Sequence, residues 1–215
     1  MKIKWLGHAC FLVTSATGIK IILDPYKSGD KIKYHTITES ADIVTVSHGH
    51  YDHCYSETVS GNPIVLTQSG KAKGIEFRTV AAFHDDSNGG QRGKNNIFCF
   101  TIDGINVCHF GDLGHLLNDS QTAEIGKVDI LFCPVGGFFT IDAAKATKLY
   151  ESLKPKVLIP MHFKNEGVPD FPIAGVDEFL RGKKNVLTPG KSEVEFTPAS
   201  LPSVSQIILL KPALL

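Results

Sequence analysis

Residues 47–54 read SHGHYDHC, which puts three histidines and one aspartate within eight positions. Neutral imidazole and ionised carboxylate both bind divalent cations, and together they can also act as a base with its orienting acid. His48 and His50 are two apart, so an extended backbone points both rings to one face. Gly49 between them allows a sharp bend. Asp52 and His53 are adjacent; they would diverge in a strand, but at the first turn of a helix they can serve a second ion together. The motif thereby offers two ligands to each of two ions. A Ser/His/Asp triad needs fewer histidines and a GxSxG elbow, which the chain lacks. A Cys/His zinc finger needs paired cysteines, also absent.

The elements around this motif decide what can join it. Apolar, β-branched runs end at His48 (ADIVTVSH), His84 (FRTVAAFH) and His162 (KVLIPMH), and INVCHFGD ends with Asp112 just beyond it. If these strands are neighbours running the same way, their ends converge on one rim, where open α/β folds place ligands. His84 then completes the set begun by His48 and His50, and His162 the set begun by Asp52 and His53. Asp112 is the natural bridge, since one carboxylate can offer an oxygen to each of two ions about 3.5–4 Å apart. His35 and His109 read as structural.

Further strands are expected at Ile3–Trp5, Cys10–Thr14, Lys20–Leu23, Ile43–Val46, Ile64–Thr67, Glu76–Phe83, Ile97–Ile102, Ile105–His109, Ile130–Cys133, Val157–Ile159, Glu193–Phe196 and Ser205–Leu210. Helices are expected at Gln121–Gly126, at Thr140–Leu153 with Thr140 as cap, and at Val176–Arg181. Strands first, then strands alternating with helices, imply an α/β arrangement of sheets covered by helices rather than a barrel.

The whole chain sets the outer bounds. Its 215 residues fit one domain, 1–215, with a sizeable core. Lys plus Arg and Asp plus Glu balance at 22 each, so net charge gives no reason to expect nucleic acid or an anionic membrane as partner. Five scattered cysteines without CxxC spacing argue against a disulfide framework and fit a reducing cytoplasm. No run reaches the ~18 apolar residues of a membrane span, and the start reads as a strand rather than a signal peptide. A soluble cytoplasmic protein acting on a small molecule is the expectation, with assembly into a homo-oligomer left open.

The sequence resembles the metallo-β-lactamase superfamily, whose HxHxDH signature matches His48-Gly-His50-Tyr-Asp52-His53. It looks most like the compact branch of metal-dependent hydrolases that includes the L-ascorbate-6-phosphate lactonases. KWLGHACF, ILDP, GDLGH, PVGGFFTIDAAKA and LIPMHF match that branch in order and cover nearly the whole chain. The resemblance implies a four-layer αβ/βα sandwich: two mixed sheets flanked by helices, with metals at one edge. It implies one ion held by His48, His50, His84 and Asp112, and another by Asp52, His53, Asp112 and His162. Zinc is the first expectation, with Mn²⁺ or Fe²⁺ as alternatives. A hydroxide bridging the ions would cleave an ester, lactone or phosphodiester, with Asp52 orienting it and shuttling its proton.

His8, after a glycine turn, and His115 are further candidates beside the metals. Arg92, in the glycine-rich loop after His84, and Lys164 are candidate contacts for an anionic substrate. The stretch YKSGDKIKYHTITES has no family match, and Leu113 in GDLGH stands where many relatives have threonine. Two other readings remain at this point. One is a non-catalytic metal-binding or regulatory protein of the same fold. The other is a dinuclear iron redox protein, against which His50 argues, because such sites usually carry a carboxylate there.

Overall fold

Alternation along the first strands sorts their side chains between two cores. Ile3, Trp5, Phe11, Val13, Ile21 and Leu23 face one buried cluster, whereas Leu6, Cys10, Leu12 and Ile22 face another. That period of two is what a sheet buried on both faces requires. The computed structural model describes residues 1–215.

The first sheet contains β1 (Lys2–Gly7), β2 (Cys10–Thr14), β3 (Lys20–Leu23), β4 (Ile43–Thr45), β5 (Ile64–Leu66) and β13 (Glu193–Glu195). Their order is β13-β1-β2-β3-β4-β5, with β3, β4 and β5 parallel. The second contains β6 (Gly70–Ala72), β7 (Ile75–Phe83), β8 (Lys94–Ile102), β9 (Ile105–His109), β10 (Ile130–Pro134), β11 (Val157–Met161), β12 (Val186–Leu187) and β14 (Gln206–Ile208). Their order is β12-β14-β11-β10-β9-β8-β7-β6. The helices are α1 (Asp119–Ile125), α2 (Ala143–Leu153) and α3 (Val176–Leu180).

The larger cluster of 43 buried residues joins the facing sides of both sheets to residues from all three helices, Ile125, Ala146, Leu149 and Phe179. Each large aliphatic side chain shut away there contributes about 1.5–3 kcal/mol against leaving it in water. The 15-residue cluster covers the other face of the first sheet with Tyr26, Ile32, Tyr34, Val168, Phe171 and Ile173. The architecture is the expected pair of mixed sheets in an α/β sandwich. The outer layer of the first sheet, however, is built from irregular segments rather than helices.

Several boundaries differ from expectation for local reasons. Helix α2 starts at Ala143, because the Asp142 side chain accepts from Lys145 N at 2.8 Å and caps it, in place of Thr140. Asn118 caps α1 with a reciprocal bond to Gln121, so that helix begins earlier than Gln121. Strands β6 and β12 were not expected, since GKA and VL carry no readable alternation. His53 lies in a turn rather than a helix: the amides of His53 and Cys54 both donate to His50 O, at 2.9 and 3.1 Å.

The expectation of four neighbouring strands is corrected. Strands β7, β9 and β11 run the same way within the second sheet, but β7 and β9 are separated by the antiparallel β8. Strand β4, which leads to His48, belongs to the first sheet. The rim therefore spans both sheets, and the strand ends meet across the sandwich.

Candidate metal centre

Asp112 occupies the middle of the rim. Its Oδ2 lies 3.1 Å from His84 Nε2 and 3.2 Å from His162 Nε2, and its Oδ1 lies 3.1 Å from His53 Nε2. His48 Nε2 is 4.0 Å from Oδ2. Two groups of donor atoms flank this carboxylate: His48, His50 and His84 on one side, and His8, Asp52, His53 and His162 on the other. Within each group the donor atoms lie within 4.8 Å of one another.

Backbone geometry aims these groups. Gly111, just before Asp112, has φ +54, and a Cβ there would collide with Asn95 and Ser47. Asn95 Oδ1 accepts from Asp112 N at 2.9 Å, while its amide donates to Phe110 O at the same distance. His8, Asp24 and His162 have φ of 52, 44 and 49, a left-handed conformation that costs non-glycine residues energy. The His8 carbonyl accepts from Trp5 Nε1 at 3.0 Å and from His162 N at 3.3 Å, which ties two of these kinks together.

Three of the central imidazoles are oriented through their far nitrogens. His53 Nδ1 lies 2.8 Å from Asp24 Oδ2, His84 Nδ1 3.0 Å from Phe139 O, and His48 Nδ1 2.9 Å from Ser47 Oγ. Their Nε2 atoms are left facing the centre, the arrangement that prepares histidine for a metal.

The electrostatics reflect the crowding. Burial, then the neighbouring His53, lowers His48 to about 3. Burial and His162 lower His8 to about 4. Burial by itself would raise Asp112, but His162 and His53 outweigh it and hold the carboxyl well below the usual range. Asp52 is held low in the same way by His53 and His8, against its burial. Burial opposes a charge on His53 too, but Asp112 and Asp52 lift it well above the ordinary histidine value.

These residues fit divalent ions. His53 Nε2 and Asp112 Oδ1 are buried 3.1 Å apart but out of hydrogen-bonding geometry, with no other partner, and His48 Nε2 faces His50 Nδ1 at 3.1 Å. A buried unsatisfied polar atom costs about 1–3 kcal/mol, a cost that ligation would remove.

A cleft of about 310 Å³ opens on the centre, walled by Tyr51, Phe139 and Phe171 and bordered by Lys31 and Arg92. The Arg92 guanidinium carbon stands 5.7 Å from the centre of the Phe139 ring. Its loop folds around Asp85, whose two oxygens accept from the amides of Ser87, Gly89, Gln91 and Arg92 and from Ser87 Oγ at 2.7–3.0 Å.

The seven residues anticipated as metal ligands come together here, and His8 joins them, 3.3 Å from Asp52 Oδ2. His115 and Lys164 do not. His115 Nε2 accepts from Phe83 N at 3.1 Å and its Nδ1 lies 2.8 Å from Leu116 O, so both ring nitrogens serve the backbone. Lys164 is exposed and does not border the cleft. His109 is structural as anticipated, with Nε2 2.9 Å from Ala9 O. Sequence reasoning missed Asp24, Asn95, Asp85 and Lys31. Only Asp24 carried a signal, as an aspartate closing an apolar strand in ILDP.

Comparison with known proteins agrees with this geometry. Residues 2–162 match the family model described as the beta-lactamase superfamily domain. A Carboxydothermus hydrogenoformans protein is 32% identical over 200 residues, covering 76% of this chain and 84% of that one. An Archaeoglobus fulgidus protein is 30% identical over 235 residues, covering 89% and 98%. Both are named UPF0173 metal-dependent hydrolases. A solved Thermotoga maritima structure, assigned as a zinc-dependent hydrolase of the metallo-β-lactamase superfamily, superposes with TM-score 0.79 at 34% identity and covers 97% of each chain. The chain belongs to the metallo-β-lactamase superfamily. Within it, its place is among the metal-dependent hydrolases.

Proposed function

We propose that this hydrolase cleaves an ester, lactone or phosphodiester bond of a small substrate, using two divalent ions. The reading is carried by one observation: the Asp112 carboxylate faces both groups of donor atoms, with Oδ2 3.1 Å from His84 and Oδ1 3.1 Å from His53. His48, His50, His84 and Asp112 would hold one ion, and Asp52, His53, His162 and Asp112 the other. Zinc suits this imidazole–carboxylate set, and Mn²⁺ or Fe²⁺ would also be accepted. Such ions supply Lewis acidity toward a carbonyl or phosphoryl oxygen and make water a nucleophile near neutral pH.

The chain's own groups do the remaining work. Asp52, ionised at neutral pH, orients the attacking water and takes its proton at the carboxylate. His8, 3.3 Å from Asp52 Oδ2, holds that carboxylate in place and gives the proton an onward path. Arg92, braced by Phe139 and the Asp85 loop, binds an anionic group of the substrate, and Lys31 adds a second cation at the mouth. Tyr51, Phe139 and Phe171 exclude water from the apolar side. Phosphorylated lactones, as in the lactonase branch, are therefore the first substrates to try. No helix is long and apolar enough to cross a membrane, and five free thiols suit a reducing cytoplasm.

The test is metal analysis of the purified protein, followed by a panel of chromogenic esters, lactones and bis-phosphodiesters. Two ions per chain, and activity abolished in His48→Ala and Asp112→Ala, are expected. Fewer ions, or activity that survives both substitutions, would overturn the reading.

A further inference from the structure

The second cavity of about 310 Å³ lies away from the metal centre, between the end of α1 and the β8–β9 hairpin, and Cys99 and Cys108 are in its wall. These two residues stand directly opposite in the hairpin ladder, with sulfurs 3.7 Å apart. The hairpin turns on Asp103 and Gly104, with φ of 51 and 75, so it is a two-residue turn closed by the pair Ile102 and Ile105. Hydrogen-bonded and non-hydrogen-bonded pairs alternate outward from that closing pair, which places Cys99 and Cys108 in a non-hydrogen-bonded pair. There the Cα atoms approach to about 4.5 Å, within the 4.4–6.8 Å span that a disulfide tolerates and near its short end.

The surroundings distinguish Cys99 from the other cysteines. Hydrogen bonding between the two sulfurs, with Arg78 nearby, holds Cys99 below the ordinary thiol value, against its burial. Burial instead pushes Cys108 and Cys133 up. Arg78, the ladder partner of Cys99 on β7, is fixed by bonds to the carbonyls of Glu124 and Ile125 at 2.7 and 3.4 Å. Lys127 also borders the cavity but is ion-paired with Asp129 at 3.3 Å, so Arg78 is the cation there without a carboxylate partner.

We propose that Cys99 and Cys108 form a reversible dithiol site, which takes a low-molecular-weight disulfide bearing carboxylates into this cavity and closes to a cross-strand disulfide. The Cys99 thiolate attacks one sulfur of the bound disulfide, whose S–S bond breaks and releases one thiolate to be protonated by solvent. Cys108 gives up its proton and attacks the Cys99 sulfur of the mixed disulfide, expelling the second thiolate. The protein loses two electrons and two protons, and the small disulfide becomes two thiols.

Folded wild-type protein is incubated with glutathione disulfide, its remaining thiols are alkylated, and the peptides are mapped by mass spectrometry. The expected product links Cys99 to Cys108, returns to two thiols with reductant, and leaves Cys133 and Cys10 alkylatable only after unfolding. Cys108→Ser should stop at a glutathione adduct on Cys99, and Cys99→Ser should carry no adduct on Cys108. The proposal is overturned if wild-type protein reacts only at the half-buried Cys54. It is equally overturned if the link appears only in urea, or if the Cys99 adduct persists unresolved. The wild-type map decides the matter even where a variant does not fold.

Discussion

Asp24 Oδ2 lies 2.8 Å from His53 Nδ1, and both side chains are wholly buried. The same carboxylate also accepts from Ser47 N at 2.8 Å and from Ser47 Oγ at 2.5 Å. One aspartate at the end of β3 thus fixes the tautomer of a histidine and the backbone that leads into His48. Partners of this kind fix the orientation of a metal-binding imidazole and raise its basicity.

Asp24→Asn should therefore weaken metal binding about 10–100-fold while leaving all seven proposed ligands in place. Competition against a chromogenic chelator measures this directly. An unchanged dissociation constant would show that the pair matters only for folding.

Removing the ions should destabilise the protein. Ligands at a hundredfold excess over their dissociation constant add about 2.7 kcal/mol, which for a chain of this size is about 5–10 °C in Tm. Differential scanning of loaded and chelated protein gives the comparison, with metal content verified in both. Equal Tm values would mean that the buried donors are satisfied without ions.

Arg92→Ala should raise KM for anionic substrates about 10–100-fold, the worth of a charge-assisted hydrogen bond, and leave neutral ones nearly unaffected. Lys164→Ala, outside the cleft, should change neither. The paired kinetics fail the assignment if neutral and anionic substrates suffer alike.

Asp85→Asn should loosen the loop that carries Arg92, because the amides of Ser87, Gly89, Gln91 and Arg92 all donate to this one carboxylate. Burial disfavours the charge of Asp85, but these amides and the Ser87 hydroxyl hold its carboxyl well below the usual range. Hydrogen exchange of those four amides should quicken while the β7 and β8 ladder stays protected. Unaltered protection in the loop would contradict this.

Much of the centre could be read in the sequence because its ligands follow apolar strands, and strands announce themselves by β-branched runs. His48, His84, Asp112 and His162 were all legible in that way. What could not be read was the pairing of strands. Nothing in FRTVAAF says that β8 intervenes before β9, or that β4 lies in the opposite sheet, because register and partner depend on contacts remote in sequence. His115 misled because it follows Asp112 closely, yet the Gly114 amide donates to Phe83 O at 2.9 Å and the His115 ring turns back to the Phe83 amide. Asp85 and Asn95 were invisible because their roles rest on backbone amides, which any sequence supplies.

The Asp85 loop has an evolutionary consequence. Its shape is set by main-chain donors and the Ser87 hydroxyl gathered on one carboxylate, while Asp86 and Gln91 are exposed at its surface. Those exposed side chains can be exchanged with little effect on the backbone that presents Arg92. New substrate preferences can therefore be sampled at the rim by point mutation, while the histidines and aspartates beneath it remain as they are.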